Sequence, residues 1–348
     1  MQEHNESDVI LRLTALWAFS ESALGGVMHA LKIPFTGLLV GGFAVLSIGM
    51  IAHVSHRRAG AVLRATMLVV LVKAVVSPHS PPTAYLAVGF QGLSGALILC
   101  YMRPHALAAL LFGFLAILES ALQKILVLLL LFGKPLFEAF DLFTADVLEK
   151  FGIRSDISWS LAAAWTYISL YGCWGLMLGY WIIGLPGQLD GRSAEYSQLA
   201  FRDAHPKIST EKKKGKKWLF TVLVLLFMVL TFILTGEKAS GARKAIYAVL
   251  RTLAVLSVWL FLFQPLVQWL IRRWAARQAE KEKSSLLEIM DMMPGIRAGV
   301  RPVYEYVSRK YTGWRRMAEF VVAMFVIAVY SRNIPAAERD KTHDPGEK

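Results

Sequence analysis

The stretch PHALAALLFGFLAILESALQKILVLLLLF, Pro104–Phe132, decides the fold class. It stays apolar for longer than the roughly 20 helical residues needed to cross a bilayer. Its apolar residues do not alternate with polar ones, so it is not a barrel strand. Similar stretches recur along nearly the whole sequence, and 55% of the 348 residues are hydrophobic. A mean hydropathy of +0.47 is too high for a soluble domain of this length. Only helices and closed barrels satisfy their backbone in lipid. The sequence therefore predicts an all-α, polytopic integral membrane bundle.

Outward from this stretch, spans are predicted over 9–33, 34–54, 61–76 and 83–102 on its N-terminal side. Pro34 separates the first two, because a proline interrupts the helical hydrogen-bond ladder. On the other side lies KPLFEAFDLFTADVLEKFG, residues 134–152. Its residues Leu136, Phe137, Phe140, Phe143, Val147 and Leu148 recur at helical spacing with acids between, which reads as an amphipathic helix on the membrane surface. A sixth span covers 157–185. A hydrophilic linker, 186–217, ends in EKKKGKK, and three more spans follow over 218–235, 245–271 and 314–330. The expected count is about nine, six plus three. The domain reading is a six-span membrane domain over 1–185, a basic cytoplasmic linker over 186–217 and a C-terminal membrane domain over 218–331. The last contains a cytoplasmic amphipathic segment, 272–313, and a polar tail follows over 332–348.

The net charge is +13. The Lys and Arg residues sit mostly between apolar runs, which points to membrane lipid and topology rather than to nucleic acid. With the N-terminus in the cytoplasm, Arg57-Arg58, Arg103, Lys212–Lys217 and Arg272-Arg273 all fall on the cytoplasmic side. The Ser77–Pro82 turn, free of Lys and Arg, falls outside with the amphipathic helix. The loop GEKASGARK is a mild exception. The expected location is the cell (inner) membrane. The opening residues, MQEHNESDVILR, lack the basic start of a cleaved signal peptide, so the first span is expected to be retained. The two cysteines, Cys100 and Cys173, make no disulfide framework.

Two acids fall inside spans. Glu21 and Glu119 each open the tetrapeptide Glu-Ser-Ala-Leu, in helices predicted to run in the same direction, so they sit at comparable depth. A charge at mid-bilayer costs roughly several kcal/mol unless paired or hydrated. Lys73 and Lys124 are candidate partners, and Gln91 and Gln123 add polar capacity. Trp165 and Tyr171 lie deeper in the sixth span, where they can stack on an aromatic ligand, although lipid or core packing is the simpler use of them. The set Glu21, Glu119, Lys124, Lys73, Gln91 and Trp165 is the candidate substrate site; the alternative is a structural ion pair. Ala18, Ser22 and Gly26 share one face of the first span and serve either a partner or internal packing. Pro34, Phe35, Thr36 and Gly37 allow a broken helix or a plain turn.

The segment Arg272–Tyr311 carries an apolar edge of Leu286, Leu287, Met290, Met293 and Ile296, suited to a partner protein or to anionic lipid. His53 and His56 stand beside Arg57-Arg58 and read as solvated loop residues. No GxxxxGK[ST], HExxH or GxSxG occurs, so no enzyme activity and no cofactor is expected; whether a metal binds is left open.

Six spans with both ends cytoplasmic, the Ala18/Ser22/Gly26 face and the Lys32–Gly37 turn together make residues 9–185 resemble the substrate-binding S component of energy-coupling factor (ECF) transporters. That resemblance implies uptake of a small vitamin- or metal-like solute from the outer face. It implies Ala18, Ser22 and Gly26 docking a T component, Pro34–Gly37 acting as gate, and a separate ABC-type ATPase as partner. The remainder is loosely similar to a reduced T component, but departs from it in lacking the Ala-Arg-Gly coupling signature: Arg297-Ala298-Gly299 has a different order. The alternative is a non-transporting scaffold or assembly factor acting through its cytoplasmic helical segment.

Overall fold

The computed structural model describes residues 3–24, 36–77, 80–152, 157–199, 250 and 252–330. Every regular element in them is helical. Helix α1, Glu3–Phe19, runs into a π-helical turn, Ser20–Leu24. Helices α2, Thr36–Val54, and α3, Ala59–Val76, follow. Then come α4, Pro82–Tyr101, α5, His105–Phe132, α6, Lys134–Lys150, and α7, Trp159–Tyr196. A π-turn, Val258–Phe263, leads into α8, Gln264–Lys281. Helices α9, Lys283–Lys310, and α10, Gly313–Tyr330, complete the described chain. Local chemistry sets several of these ends. Pro82 opens α4, where its missing N–H would have had no partner. Gly133 at φ 67° ends α5, and Gly313 at φ 57° opens α10 after the break that follows α9.

Six helical segments are long and apolar enough to cross a membrane: Gly37–Val54, Ala59–Val76, Pro82–Tyr101, His105–Leu130, Trp159–Tyr196 and Thr252–Lys281. Of the other expected spans, the first is described only as far as Leu24, and 218–235 lies outside the described residues. The last expected span, α10, behaves differently. It carries Arg315, Arg316 and Glu319, and Val322 through Ala328 are buried on every side. It packs against α1, α7 and α9, and Phe325 stacks on Phe43 of α2 at 5.1 Å. A helix hydrophobic all round fits a protein interior as well as it fits lipid.

At the α5–α7 crossing the two backbones approach closely. Gly175 and Gly179 form a GxxxG face. A Cβ on Gly175 would sit 2.5 Å from the Gly113 carbonyl oxygen, and one on Gly179 would sit 2.5 Å from that of Ala109. Small residues let membrane helices gain dispersion contacts backbone to backbone. Helix α7 also continues through Pro186 to Tyr196, so the first part of the expected linker is helical.

Two C-terminal expectations change. The apolar edge of α9 is not open to a partner: Leu286, Ile289, Met293, Ile296, Val303 and Val307 are buried, against α1, α3 and α10. Their three-to-four-residue spacing makes one continuous stripe. Leu287, expected on that edge, is 56% exposed. Helix α8 lies lengthwise along α3. At one end the Gln268 amide donates to the Ser80 carbonyl at 3.4 Å, and just past the other end Arg64 donates to Glu282 at 2.8 Å. Arg272-Arg273 are therefore one turn from the Ser80 end, not on the Arg57-Arg58 face. Charge counting places basic residues by where apolar runs stop, and it does not register a mixed helix packing back along its neighbour.

Candidate functional site: a polar cavity near the Ser77–Pro82 turn

Glu21 sits on the π-turn that ends α1. Such turns shift a side chain out of the regular helical register, often at functional positions. Its Oε2 accepts a hydrogen bond from Lys73 Nζ, on the last turn of α3, at 2.6 Å. The side chains are only 7% and 5% exposed. The pair stands at one edge of a cavity of about 390 Å³, which reaches the turn at Pro81.

Gln91 from α4, Gln123 and Lys124 from α5, and Tyr167 and Tyr171 from α7 also line the cavity. The Gln123 amide donates to the Thr83 carbonyl at 3.1 Å and to Glu119 Oε1 at 3.2 Å. Gly41 admits the Gln91 amide, since a Cβ there would lie 3.2 Å from its nitrogen. The two tyrosine rings stand 4.5 Å apart. Several buried polar atoms have no hydrogen-bond partner: Gln91 Oε1, Glu119 Oε2 and the Tyr167 hydroxyl. Each such group costs roughly 1–3 kcal/mol when left unsatisfied. Gln91 and Tyr167 line the cavity and are groups a ligand can satisfy, whereas Glu119 reaches it only through Gln123.

The structure thus gathers Glu21, Lys73, Gln91 and Lys124 on one cavity wall, with Glu119 bonded to the lining Gln123. Trp165 is excluded: it is 61% exposed, and Tyr167 and Tyr171 hold the inward face of α7 instead. Residues four apart share a helix face, whereas residue 165 turns away from it. Ala18 and Ser22 are buried within the chain. A buried side chain offers no surface to a partner, so internal packing accounts for these two. Gly26, Pro34 and Phe35 lie outside the described residues, Thr36 opens α2, and Gly37 lines the cavity.

The GxxxG of Gly175 and Gly179 is legible in the sequence as a helix-packing face, although it was not among the expected ones. Tyr167 was not expected in the site either, because only the rotation of α7 decides its inward direction. Chemically, the lining offers both charges, two amides and two phenols. This set suits a small organic solute with hydrogen-bonding groups. Among the described residues, no three of His, Cys, Asp and Glu converge to hold a metal ion. No protein-family model, curated protein or solved structure matches this chain.

Proposed function

We propose that this membrane protein binds a small polar organic solute in the Glu21–Lys73 cavity and serves its uptake, as the substrate-binding subunit of an S-component-like transport system. The observation that carries this reading is the convergence of an ion pair and unpartnered polar atoms on one cavity within a bundle of membrane-length helices. Intramembrane ionisable residues that face a cavity are costly, and by default they point to a solute or ion pathway. The chain has no P-loop, so transport against a gradient through an ATP cycle requires a separate ABC-type ATPase and a coupling membrane subunit. The alternative, a scaffold or assembly factor acting through its cytoplasmic helical segment, is left without the apolar edge of α9 as a docking face, because α1, α3 and α10 cover it.

The test is purification of the full chain in mild detergent, with mass spectrometry of co-purifying small molecules. The wild type is expected to retain a solute that Glu21→Ala and Glu119→Ala lose, and that Trp165→Ala retains. A solute held equally by all four proteins, or by none, removes this cavity from the function.

A further inference from the structure

A second cavity, of about 540 Å³, lies where α2, α4, α5 and α7 meet near the α2–α3 turn. His53, His56, Arg57 and His105 line it together with apolar residues including Leu99 and Ile182. Arg57 Nη1 is buried and has no hydrogen-bond partner. A guanidinium presents planar N–H donors suited to phosphate or carboxylate. The cavity also borders the start of α5, at His105 and Ala106. The first N–H groups of a helix lack intrahelical partners and carry its positive dipole end, which favours an anion.

The backbone adds an independent observation. The α2–α3 turn closes with the Arg57 N–H on the Ala52 carbonyl at 2.8 Å and the His56 N–H on the His53 carbonyl at 3.1 Å. This is a Schellman ending, whose left-handed position normally belongs to glycine. Here His56 and Arg57 both take left-handed φ, 49° and 65°. For a residue with a Cβ that conformation costs roughly 1–2 kcal/mol. Glycine would make the same turn without that cost. Strained non-glycine residues cluster at ligand clamps and other functional sites, and these two side chains line the cavity. The acid that acts electrostatically on His53, Asp190, is itself hydrogen-bonded by the Tyr330 hydroxyl.

We propose that this cavity binds a phosphate-bearing anion, with Arg57, His56 and His105 on the phosphate and the apolar lining residues against attached hydrocarbon. Lipid headgroups and soluble phosphates share this chemistry; the apolar part of the lining favours the lipid. The site is separate from the solute cavity and does not depend on it.

The test is native mass spectrometry of the full chain in detergent with phosphatidylglycerol, with phosphatidylcholine, and with inorganic phosphate. The expected result is preferential retention of phosphatidylglycerol over phosphatidylcholine. In Arg57→Gly and in His105→Gln retention should fall about tenfold, the loss of one charge-assisted hydrogen bond. Binding of inorganic phosphate alone, lost in the same variants, assigns a soluble source to the same site. Arg57→Gly also relieves the left-handed strain, so its melting temperature should hold or rise, which separates lost binding from lost folding. Equal retention by wild type and both variants, or no retention of any of the three probes, overturns the proposal.

Discussion

Lys73 and Glu21 meet at 2.6 Å with 5% and 7% of their side chains exposed, so neither charge has bulk water as an alternative partner. Removing one member of such a pair leaves the other buried and uncompensated, at a cost of about 3–5 kcal/mol. Lys73→Met alone should therefore lower thermal stability strongly. The double variant Glu21→Gln, Lys73→Met should recover much of that loss, because no net charge remains buried. Solute retention should stay abolished in both. Thermal melts beside ligand retention separate the two effects, and a double variant no more stable than Lys73→Met would show that the pair is not coupled.

At the α5–α7 crossing, Gly175→Leu forces a side chain into the backbone of Gly113 and Phe114. Overpacking costs about 1–3 kcal/mol where side chains can move, and backbone moves less easily. The expected result is a destabilisation at or above the top of that range. Gly191→Ala, on the same helix with open space around its Cβ, should be tolerated. Comparable melting temperatures for Gly175→Leu and Gly191→Ala would contradict the close approach.

The docking of α6 should depend on pH. Asp141 accepts the Ser160 N–H at 2.6 Å, the Ser160 hydroxyl at 2.8 Å and the Ser158 hydroxyl at 3.0 Å, capping α7 from outside that helix. These bonds, the Ser160 backbone N–H foremost, hold the carboxyl below its ordinary range. A carboxylate with a depressed folded pKa contributes stability above its unfolded pKa and loses it as pH falls through the folded value. Hydrogen exchange across Lys134–Lys150 should thus be slow at neutral pH and accelerate under acid. In Asp141→Ala it should be fast at both. Exchange independent of pH in the wild type would remove Asp141 as the clamp. Leu142 and Phe143 stay exposed on α6, as the apolar residues of a helix lying on a membrane surface would.

On α9, Ile289 is fully buried and Leu287 is largely exposed. Ile289→Asp places an unpaired charge in the packed stripe and should cost more than about 3 kcal/mol. It should open Lys283–Lys310 to protease. Leu287→Asp should leave the digestion pattern unchanged. The reverse ranking would mean that the opposite face of α9 is the packed one.

The acids and lysines of the candidate site were legible because a charge inside an apolar run stands out against it. Glu21, Lys73 and Lys124 were visible as exceptions before any geometry was known. Tyr167 was not, since an aromatic residue in a membrane helix is unexceptional until the helix is rotated into place. The amphipathic helix α6 was legible from its period. The stripe of α9 was equally legible, but its occupant was not: an apolar edge states that something must cover it, not what.

The chain order of apolar runs and charged gaps is enough to dictate a helical, membrane-spanning protein, because backbone satisfaction in lipid leaves no other choice for runs of this length. Depth, rotation and pairing belong to the tertiary structure. They depend on contacts between residues far apart in the chain, such as Glu21 with Lys73, Phe43 with Phe325, and Gly113 with Gly175. Such contacts are fixed by close packing of particular surfaces, which local hydropathy does not encode.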